Sequence, residues 1–154
     1  MIKQINSAKT EKGRRVLTTP CTPITVLTDE HKKLIQDMRD TATAYPYCIG
    51  LCANQIWEDD TMPAPAIIIV PGQTSWIVCI NPMIDRKWKK ELKKPEGCMS
   101  LPGFSKEKSR KRHLLISHYD EDMEYCANIQ LFDIAARIFQ HEMDHIEGSL
   151  LSDG

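Results

Sequence analysis

A run of residues near the end of the chain constrains both its fold and its chemistry. Residues 140–145 read QHEMDH, so His141 and His145 stand four positions apart. In a helix, two such side chains lie on one face, one turn from each other. Paired imidazoles of this kind bind one metal ion, and Glu142 between them reaches a water at that ion. The run therefore predicts a metal site carried by a helix.

The residues around this run provide the helix that the motif needs. Apolar residues recur upstream of it at helical spacing: Leu131, Ile134, Ala135, Ile138 and Phe139. Gly148, which follows the second histidine, suits a helix end. We predict a helix over residues 131–147 whose histidines lie in or near the core. The alternative is a helix in which both histidines merely pack or hydrogen-bond, because short motifs produce false positives.

Length and composition favour a single domain over residues 1–154. A chain of 154 residues is long enough to bury a core. Its net charge of −1 and hydrophobic fraction of 42% give no general attraction to nucleic acid or membranes. No apolar run has the length of a membrane span, and the first residues lack the apolar region of a signal peptide. We therefore expect a cytoplasmic monomer that neither crosses a membrane nor recognises a nucleic-acid sequence.

The remaining elements predict an α+β architecture. Residues 1–27 are polar and rich in proline toward their end, which suggests an extended arm. Thr28 is a plausible N-cap for a helix over residues 28–43. Four short strands are expected, over residues 66–70, 76–80, 114–119 and 127–131. These elements predict a small mixed sheet packed around one central helix.

A third metal ligand must come from elsewhere in the chain. Six cysteines are available: Cys21, Cys48, Cys52, Cys79, Cys98 and Cys126. In a reducing compartment most of them are expected to be small core residues. Cys98 follows Gly97, which permits a sharp bend, and precedes Pro102, which ends regular strand pairing. Such a stiff segment suits a fixed ligand, although an ordinary buried thiol is the stronger interpretation of Cys98 in isolation.

Gln55 is the polar exception in the apolar segment over residues 48–56. An amide buried among apolar side chains needs hydrogen-bond partners. One hypothesis is that Gln55 donates to an oxyanion that develops during a reaction. The other, which is favoured for this segment alone, is that nearby backbone groups satisfy the amide.

Together the three segments resemble one family, the peptide deformylases. The family's three motifs occur here in order as GLCANQ at residues 50–55, EGCMS at residues 96–100 and HEMDH at residues 141–145. The resemblance extends over most of residues 28–151. The combination is more specific than any single motif, and it reverses the interpretation of Cys98 and Gln55.

The resemblance implies a fold, an activity and partners. The implied fold is a central helix with the HExxH motif, surrounded by small antiparallel or mixed sheets, plus an N-terminal helix. The implied activity is hydrolytic removal of the formyl group from the formyl-methionine of nascent peptides. Some bacterial members use a helix after this region to dock on the ribosome, and it is missing from this sequence. A compact form of this kind is similar to phage-encoded members, so we expect the cytoplasm of a bacterium or of an infected host.

The resemblance also implies a catalytic metal centre. Three ligands are implied: Cys98, His141 and His145. A water completes the site, and Glu142 moves a proton from that water to the departing amine. The family prefers Fe(II) and also functions with nickel, cobalt or zinc. Asp144 points away from the histidine pair, and we expect it to hold the helix by pairing with Arg110, with a surface pair as the alternative.

Substrate contacts follow from the same resemblance. Gln55 and the backbone N–H of Met99 are implied to stabilise the oxyanion, and Gly50 to let the substrate backbone approach. The implied methionine pocket has four apolar side chains: Ile49, Met99, Ile134 and Ile138. The helical spacing of Ile134 and Ile138 supports this, although plain core packing is an equal alternative for both.

Several positions depart from the family pattern. Cys48 replaces a usual glycine and Cys52 a usual alanine, so the shape of the substrate site is in question. Ser105 stands where many members have an arginine at the pocket mouth, and Lys94 and Arg137 are expected near that mouth instead.

Two other classes of function compete with the deformylase hypothesis. A zinc peptidase would use the same helix with a downstream carboxylate, for which Asp153 is the candidate. A non-catalytic module would use the metal only to brace its fold. A closed structural site of that kind takes four protein ligands and has no use for Glu142.

Overall fold

The computed structural model describes residues 1–153, in which three α-helices accompany one β-sheet of five strands. The helices are α1 at Glu11–Leu17, α2 at Asp29–Ala44 and α3 at Asp133–Ile146. The strands are β1 at Leu51–Cys52, β2 at Ile67–Pro71, β3 at Trp76–Gly97, β4 at Ser105–Tyr119 and β5 at Tyr125–Phe132. A 3-10 turn at Ala53–Gln55 follows β1. No helix of the described residues has the length and apolar character that crossing a membrane requires.

The sheet corrects the expectation of several small or mixed sheets. Its strands lie in the order β1-β2-β3-β4-β5, and every neighbouring pair is antiparallel. Successive strands therefore pair with each other, which antiparallel connections permit. One isolated parallel bridge, between Thr22 and Pro65, lies outside the named strands. Strand β3 has 22 residues and shifts register against β4 at three irregularities, which increase twist and bend a long strand.

Both predicted helices are confirmed. Thr28 caps α2 as expected, because its hydroxyl accepts a hydrogen bond from the backbone N–H of His31 at 3.2 Å. Helix α3 lies within the predicted range of residues 131–147 and contains both histidines. The predicted strands are also present, but β3 and β4 continue far beyond their apolar parts through lysine-rich sequence.

The prediction of an extended arm is wrong over Glu11–Leu17, which forms α1. The hydroxyl of Thr10 accepts from the backbone N–H of Gly13 at 3.0 Å and caps this helix. Leu17 is buried with Ala8 and Leu150 in a small apolar cluster. Helix α1 is thus held by tertiary packing, because a helix of seven residues is too short to be stable alone.

Helix α3 packs on the sheet through its apolar face. It contacts strands β1, β2, β4 and β5. Phe139 and Ala136 are completely buried there, in a cluster with Cys52, Ile68, Cys79, Leu114 and Ile116. This packing fixes α3 on the sheet and with it both histidines.

The cysteines are free thiols in the described residues. Cys52 and Cys79 are buried, as predicted for small core residues, and the other four are partly buried. The sulfur atoms of Cys21 and Cys52 lie 4.0 Å apart.

Candidate metal centre and adjoining cleft

The three predicted metal ligands lie together. The ligand atoms of Cys98, His141 and His145 are all within 4.8 Å of one another. Cys98 Sγ lies 3.3 Å from His145 Nε2, and the two imidazole rings are 5.2 Å apart. Helix α3 supplies both rings, and Cys98 directly follows the last residue of β3. The residues thus form one compact cluster of three donors.

The donor set fits a divalent transition metal. One sulfur and two imidazole nitrogens suit zinc or iron, and three protein ligands leave one position open. Among residues 1–153, no fourth histidine, cysteine or carboxylate joins the group. A buried oxygen of Glu142, Oε1, has no hydrogen-bond partner among the protein atoms. Because a buried carboxylate oxygen needs a partner, this atom favours a site that accepts a polar ligand.

The pKa values of all three titratable groups that α3 contributes to the candidate metal centre are shifted from their ordinary values. Burial raises the pKa of Glu142 to about 7 and lowers that of His145 to about 3. Burial would also lower the pKa of His141, but hydrogen bonds to Cys98 and Glu96 outweigh it and raise the pKa to about 10. A metal binds neutral imidazoles, so metal binding and protonation compete at His141.

Glu96 organises the surroundings of His141. Its carboxylate lies 3.1 Å from His141 Nδ1 and accepts two hydrogen bonds from Arg110, at 3.0 and 2.9 Å, and one from Arg137 at 2.5 Å. Burial opposes ionisation of Glu96, but these partners outweigh it and lower its pKa. Arg110 also donates to Asp144 at 2.7 Å, which confirms the predicted pair. The role of Glu96 was not predicted, although it belongs to the second motif.

The amide of Gln55 has partners at both ends. Its Oε1 accepts from the backbone N–H of Cys52 at 2.9 Å. Its Nε2 donates to Ser100 Oγ at 3.2 Å and lies 4.0 Å from Cys98 Sγ. The interpretation that protein groups satisfy the amide is confirmed, while donation to an oxyanion stays a prediction.

Two neighbouring residues explain why the first motif sits against α3. The side-chain amide of Asn54, which is completely buried, donates to the backbone carbonyl of His145 at 2.9 Å. A Cβ atom added at Gly50 would lie 2.7 Å from Glu142 Oε2, so a larger residue there would displace the carboxylate. The thiol of Cys48 donates to the carbonyl of Gly50 at 3.2 Å. Sequence reasoning missed Asn54, because its partner is distant in the chain.

A cleft of about 530 Å³ opens beside the three donors. It contains every residue that was predicted to contact substrate: Ile49, Gly50, Gln55, Met99, Ile134 and Ile138. Ile134 is 66% exposed, which contradicts the alternative that it is plain core. Arg137 lines the cleft as expected, whereas Lys94 and Ser105 do not.

The cleft also has walls that the sequence did not predict. Five further residues line it: Tyr47, Pro95, Leu101, Gly103 and Phe104. They come from the loops before β1 and after β3 and from the end of β3 itself. A concave and largely apolar cleft with a few polar groups is the usual form of a small-molecule site.

Known proteins share both the sequence pattern and the fold. A family model described as Polypeptide deformylase matches residues 3–154. A peptide deformylase of Cytophaga hutchinsonii is 41% identical over 128 residues, which are 79% of this chain and 66% of that relative. The match thus spans about two thirds of the relative's length.

Two solved structures extend the likeness to three dimensions. The crystal structure of a peptide deformylase from Thermotoga maritima aligns with a TM-score of 0.84 and 27% identity, over 98% of this chain and 95% of that one. The PDF of the Vibrio parahaemolyticus bacteriophage VP16T, solved with actinonin, aligns with a TM-score of 0.79 and 28% identity. That alignment covers 96% of this chain and 99% of the phage chain.

Proposed function

The chain belongs to the polypeptide deformylase family, and from this premise we propose that it hydrolyses the formyl group from the formyl-methionine of newly made polypeptides. One observation carries the proposal: Cys98 and His141 of the donor cluster line the same cleft as Glu142 and Gln55. A donor cluster, a proton carrier and a hydrogen-bond donor in one cleft are the parts that amide hydrolysis needs.

The three clustered donors would hold one divalent metal ion, Fe(II) in the cell and zinc, nickel or cobalt in purified protein. When bound, such an ion acidifies a water molecule and so supplies a nucleophile at neutral pH. Cys98 contributes a thiolate, which suits these metals and makes a ferrous site sensitive to oxidation. Glu96 fixes the ring of His141 through Nδ1 and so leaves Nε2 available as the ligand atom.

Glu142 is the proposed carrier of the proton. Its pKa of about 7 lies near the working pH, so the carboxylate can accept a proton and release it again. It takes the proton from the attacking water and passes it to the nitrogen of the departing methionine. Its neighbour Gly50 leaves this carboxylate enough room beside the substrate.

Gln55 and the backbone N–H of Met99 are the proposed donors to the oxygen of the formyl group. That oxygen gains negative charge when water adds to the carbon, and donors already in place stabilise it. Gln55 cannot turn away easily, because Cys52 holds its carbonyl oxygen and Ser100 accepts from its nitrogen. The amide is thus positioned before the substrate arrives.

The apolar part of the cleft is the proposed methionine pocket. Its walls include Ile49, Met99, Ile134 and Ile138. The substrate backbone would lie against Gly50 in an extended conformation, where the lack of a side chain permits close approach. The volume of about 530 Å³ accommodates methionine and part of the residues that follow it.

The competing peptidase hypothesis has less support. The carboxylate of Asp153 accepts a hydrogen bond from the backbone N–H of Leu150 at 2.8 Å and is not part of the donor cluster. It therefore caps a local turn instead of completing a metal site.

The setting of the reaction is also a proposal. Formylated nascent peptides are the substrates, and the enzyme would act as a monomer in the cytoplasm of a bacterium or of a phage-infected host. Its relatives come from bacteria, and one structural neighbour comes from a phage. Contact with the ribosome would deliver the substrates directly.

The proposed function is tested by formate release from formyl-Met-Ala-Ser. Protein purified without oxygen and loaded with iron or nickel is expected to turn this peptide over. Glu142→Ala should keep its metal and lose about 100-fold or more in rate, because proton transfer is removed. Metal content by mass spectrometry is the control. An inactive metal-loaded wild type would refute the proposed reaction, and an active Glu142→Ala variant would refute the role of Glu142.

A further inference from the structure

A second cavity shares part of its lining with the cleft. It has a volume of about 280 Å³ and is formed by β3, β4 and the start of α3. Among residues 1–153, two line both cavities, Ile134 and Arg137. Ile134 is 66% exposed, whereas the side chain of Arg137 is only 14% exposed. Arg137 is therefore the buried part of the wall between the two cavities.

The guanidinium of Arg137 is tied to both strands of the hairpin. It donates to the carboxylate of Glu96 at 2.5 Å and to the backbone carbonyl of Lys108 at 2.9 Å. It also donates to the backbone carbonyl of Leu92. Three acceptors on β3 and β4 hold the charged group in place, so the wall is fixed and is not a mobile surface side chain.

The two cavities differ sharply in charge. Most of the residues that line the cleft are uncharged, whereas the second cavity has five cationic residues: Lys94, Arg110, Lys111, Arg112 and Arg137. Asp133 is its one carboxylate among the described lining residues. Lys94 has no carboxylate within salt-bridge distance among residues 1–153. The other four cations are already paired with carboxylates: Arg110, Lys111, Arg112 and Arg137. The positive charge left for an acidic group that enters this space is therefore that of Lys94.

On the basis of the proposed function, we propose that Arg137 is a specificity-determining residue of this enzyme. It closes the methionine pocket on the side of the cationic cavity and so limits the length of the first side chain of the substrate. A longer unbranched side chain would have to displace a guanidinium that holds three hydrogen bonds. Without Arg137 the two cavities would join, and a side chain that ends in a carboxylate would reach the unpaired ammonium group of Lys94.

The test is a competition among three formylated peptides in one tube. They differ only in their first residue, which is methionine, 2-aminooctanoic acid or 2-aminosuberic acid, the last with a terminal carboxylate. The ratio of kcat/KM between two competing substrates does not depend on how much of the enzyme holds metal. Metal loss caused by a disturbed Glu96 therefore cannot change the result.

Wild-type protein is expected to favour methionine by about tenfold or more, the range that a pocket wall provides. Arg137→Ala should reduce this preference by about tenfold. The acidic peptide should show the largest increase in kcat/KM relative to methionine. Arg137→Lys keeps a long cationic side chain but loses the planar fork, so it should retain most of the preference. Arg112→Ala is the matched control, because Arg112 lines only the second cavity and pairs with Asp133 at 2.9 Å.

Equilibrium binding provides a readout that needs no turnover. The three deformylated peptides are titrated into wild-type and variant protein by calorimetry, and the order of their affinities should change as the kinetic preference does. If Arg137→Ala does not fold in a thermal melt, Arg137→Gln shortens the wall and keeps an amide donor for the strand carbonyls. The same competition then applies to that variant.

The outcomes separate the two proposals. If wild-type protein deformylates none of the peptides, the proposed function is refuted. If wild-type protein prefers methionine and Arg137→Ala shows the same kcat/KM ratios among the peptides, only the role of Arg137 is overturned. An Arg137→Lys variant that loses the preference as fully as Arg137→Ala would also overturn it, because the effect would then come from the hydrogen bonds to Glu96.

Discussion

At the scale of single residues, the candidate site depends on contacts that leave almost no spare space. Gly50 lies against the carboxylate of Glu142, and Cys48 donates to the carbonyl of Gly50. The thiol thus occupies the position next to the proposed substrate strand, where burial raises its pKa and keeps it protonated. Cys48 therefore acts as a small hydrogen-bonding residue and does not add a charge to the cleft.

Gly50→Ala is expected to lower the rate of formate release by about 100-fold, which is the loss expected when a general acid–base group is moved out of position. The added methyl group would lie 2.7 Å from Glu142 Oε2, so the carboxylate must move from its place beside the substrate. Steady-state kinetics with formyl-Met-Ala-Ser measures the effect. Metal content should stay at the wild-type level, since no ligand changes. Wild-type kinetics in this variant would contradict the close contact.

At the scale of elements, α3 and the β3–β4 hairpin are joined through one carboxylate. Glu96 near the end of β3 accepts hydrogen bonds from β4 through Arg110 and from α3 through Arg137, and it contacts His141. Cys98 follows two residues later. The hairpin thus supplies one candidate metal donor and also contacts a second candidate donor on α3.

Glu96→Gln should weaken metal binding by about 10- to 100-fold, as is typical for partners of metal-bound histidines. The amide keeps the size of the side chain but removes the negative charge that interacts with His141, Arg110 and Arg137. Titration against a chromophoric chelator measures the metal affinity. Glu107→Gln is the control on the same hairpin, because Glu107 is 64% exposed and pairs only with Lys93, at 3.9 Å. Equal affinities in both variants would show that Glu96 does not orient the ligand.

Much of this arrangement could be predicted from the sequence, and the exceptions have physical reasons. Helix α2 has apolar periodicity and an N-cap, and helix α3 has apolar periodicity and the histidine motif. Both helices are therefore predictable from local sequence. Helix α1 has only two buried apolar side chains, Val16 and Leu17, and depends on tertiary contacts. The far half of β3 is lysine-rich and is held by pairing with β4, which no local pattern reveals.

The same distinction applies to the candidate site. The residue types that bind a metal or move a proton were recognisable from the family's motifs. The groups that hold them, Glu96, Asn54 and Ser100, act through hydrogen bonds between distant segments. Such partners become visible only when the chain is folded.

At the scale of the whole molecule, the proposed metal would bridge two parts of the fold. Its donors come from α3 and from the segment after β3, which are distant in sequence and meet only in the folded state. A ligand that binds only the folded state stabilises it by mass action. The metal should therefore contribute to global stability as well as to catalysis.

Removal of the metal is expected to lower the Tm measurably, and added nickel or zinc should restore it. At about 100 times the dissociation constant, the expected stabilisation is about 2.7 kcal/mol. Differential scanning calorimetry without oxygen, with and without a chelator, measures the shift. Cys98→Ser should show a smaller shift, because it lacks the thiolate donor. An unchanged Tm in the wild type would argue against a metal that spans both elements.

The position of Glu96 between three partners also has an evolutionary consequence. Arg137 can vary in a lineage that gains a new substrate preference, since Arg110 still provides two hydrogen bonds to the carboxylate. A change at Glu96 would instead disturb the pocket wall and the metal ligand together. Under the two proposals, a lineage could change its substrate preference through Arg137 alone, whereas a change at Glu96 would alter substrate preference and metal binding in one step.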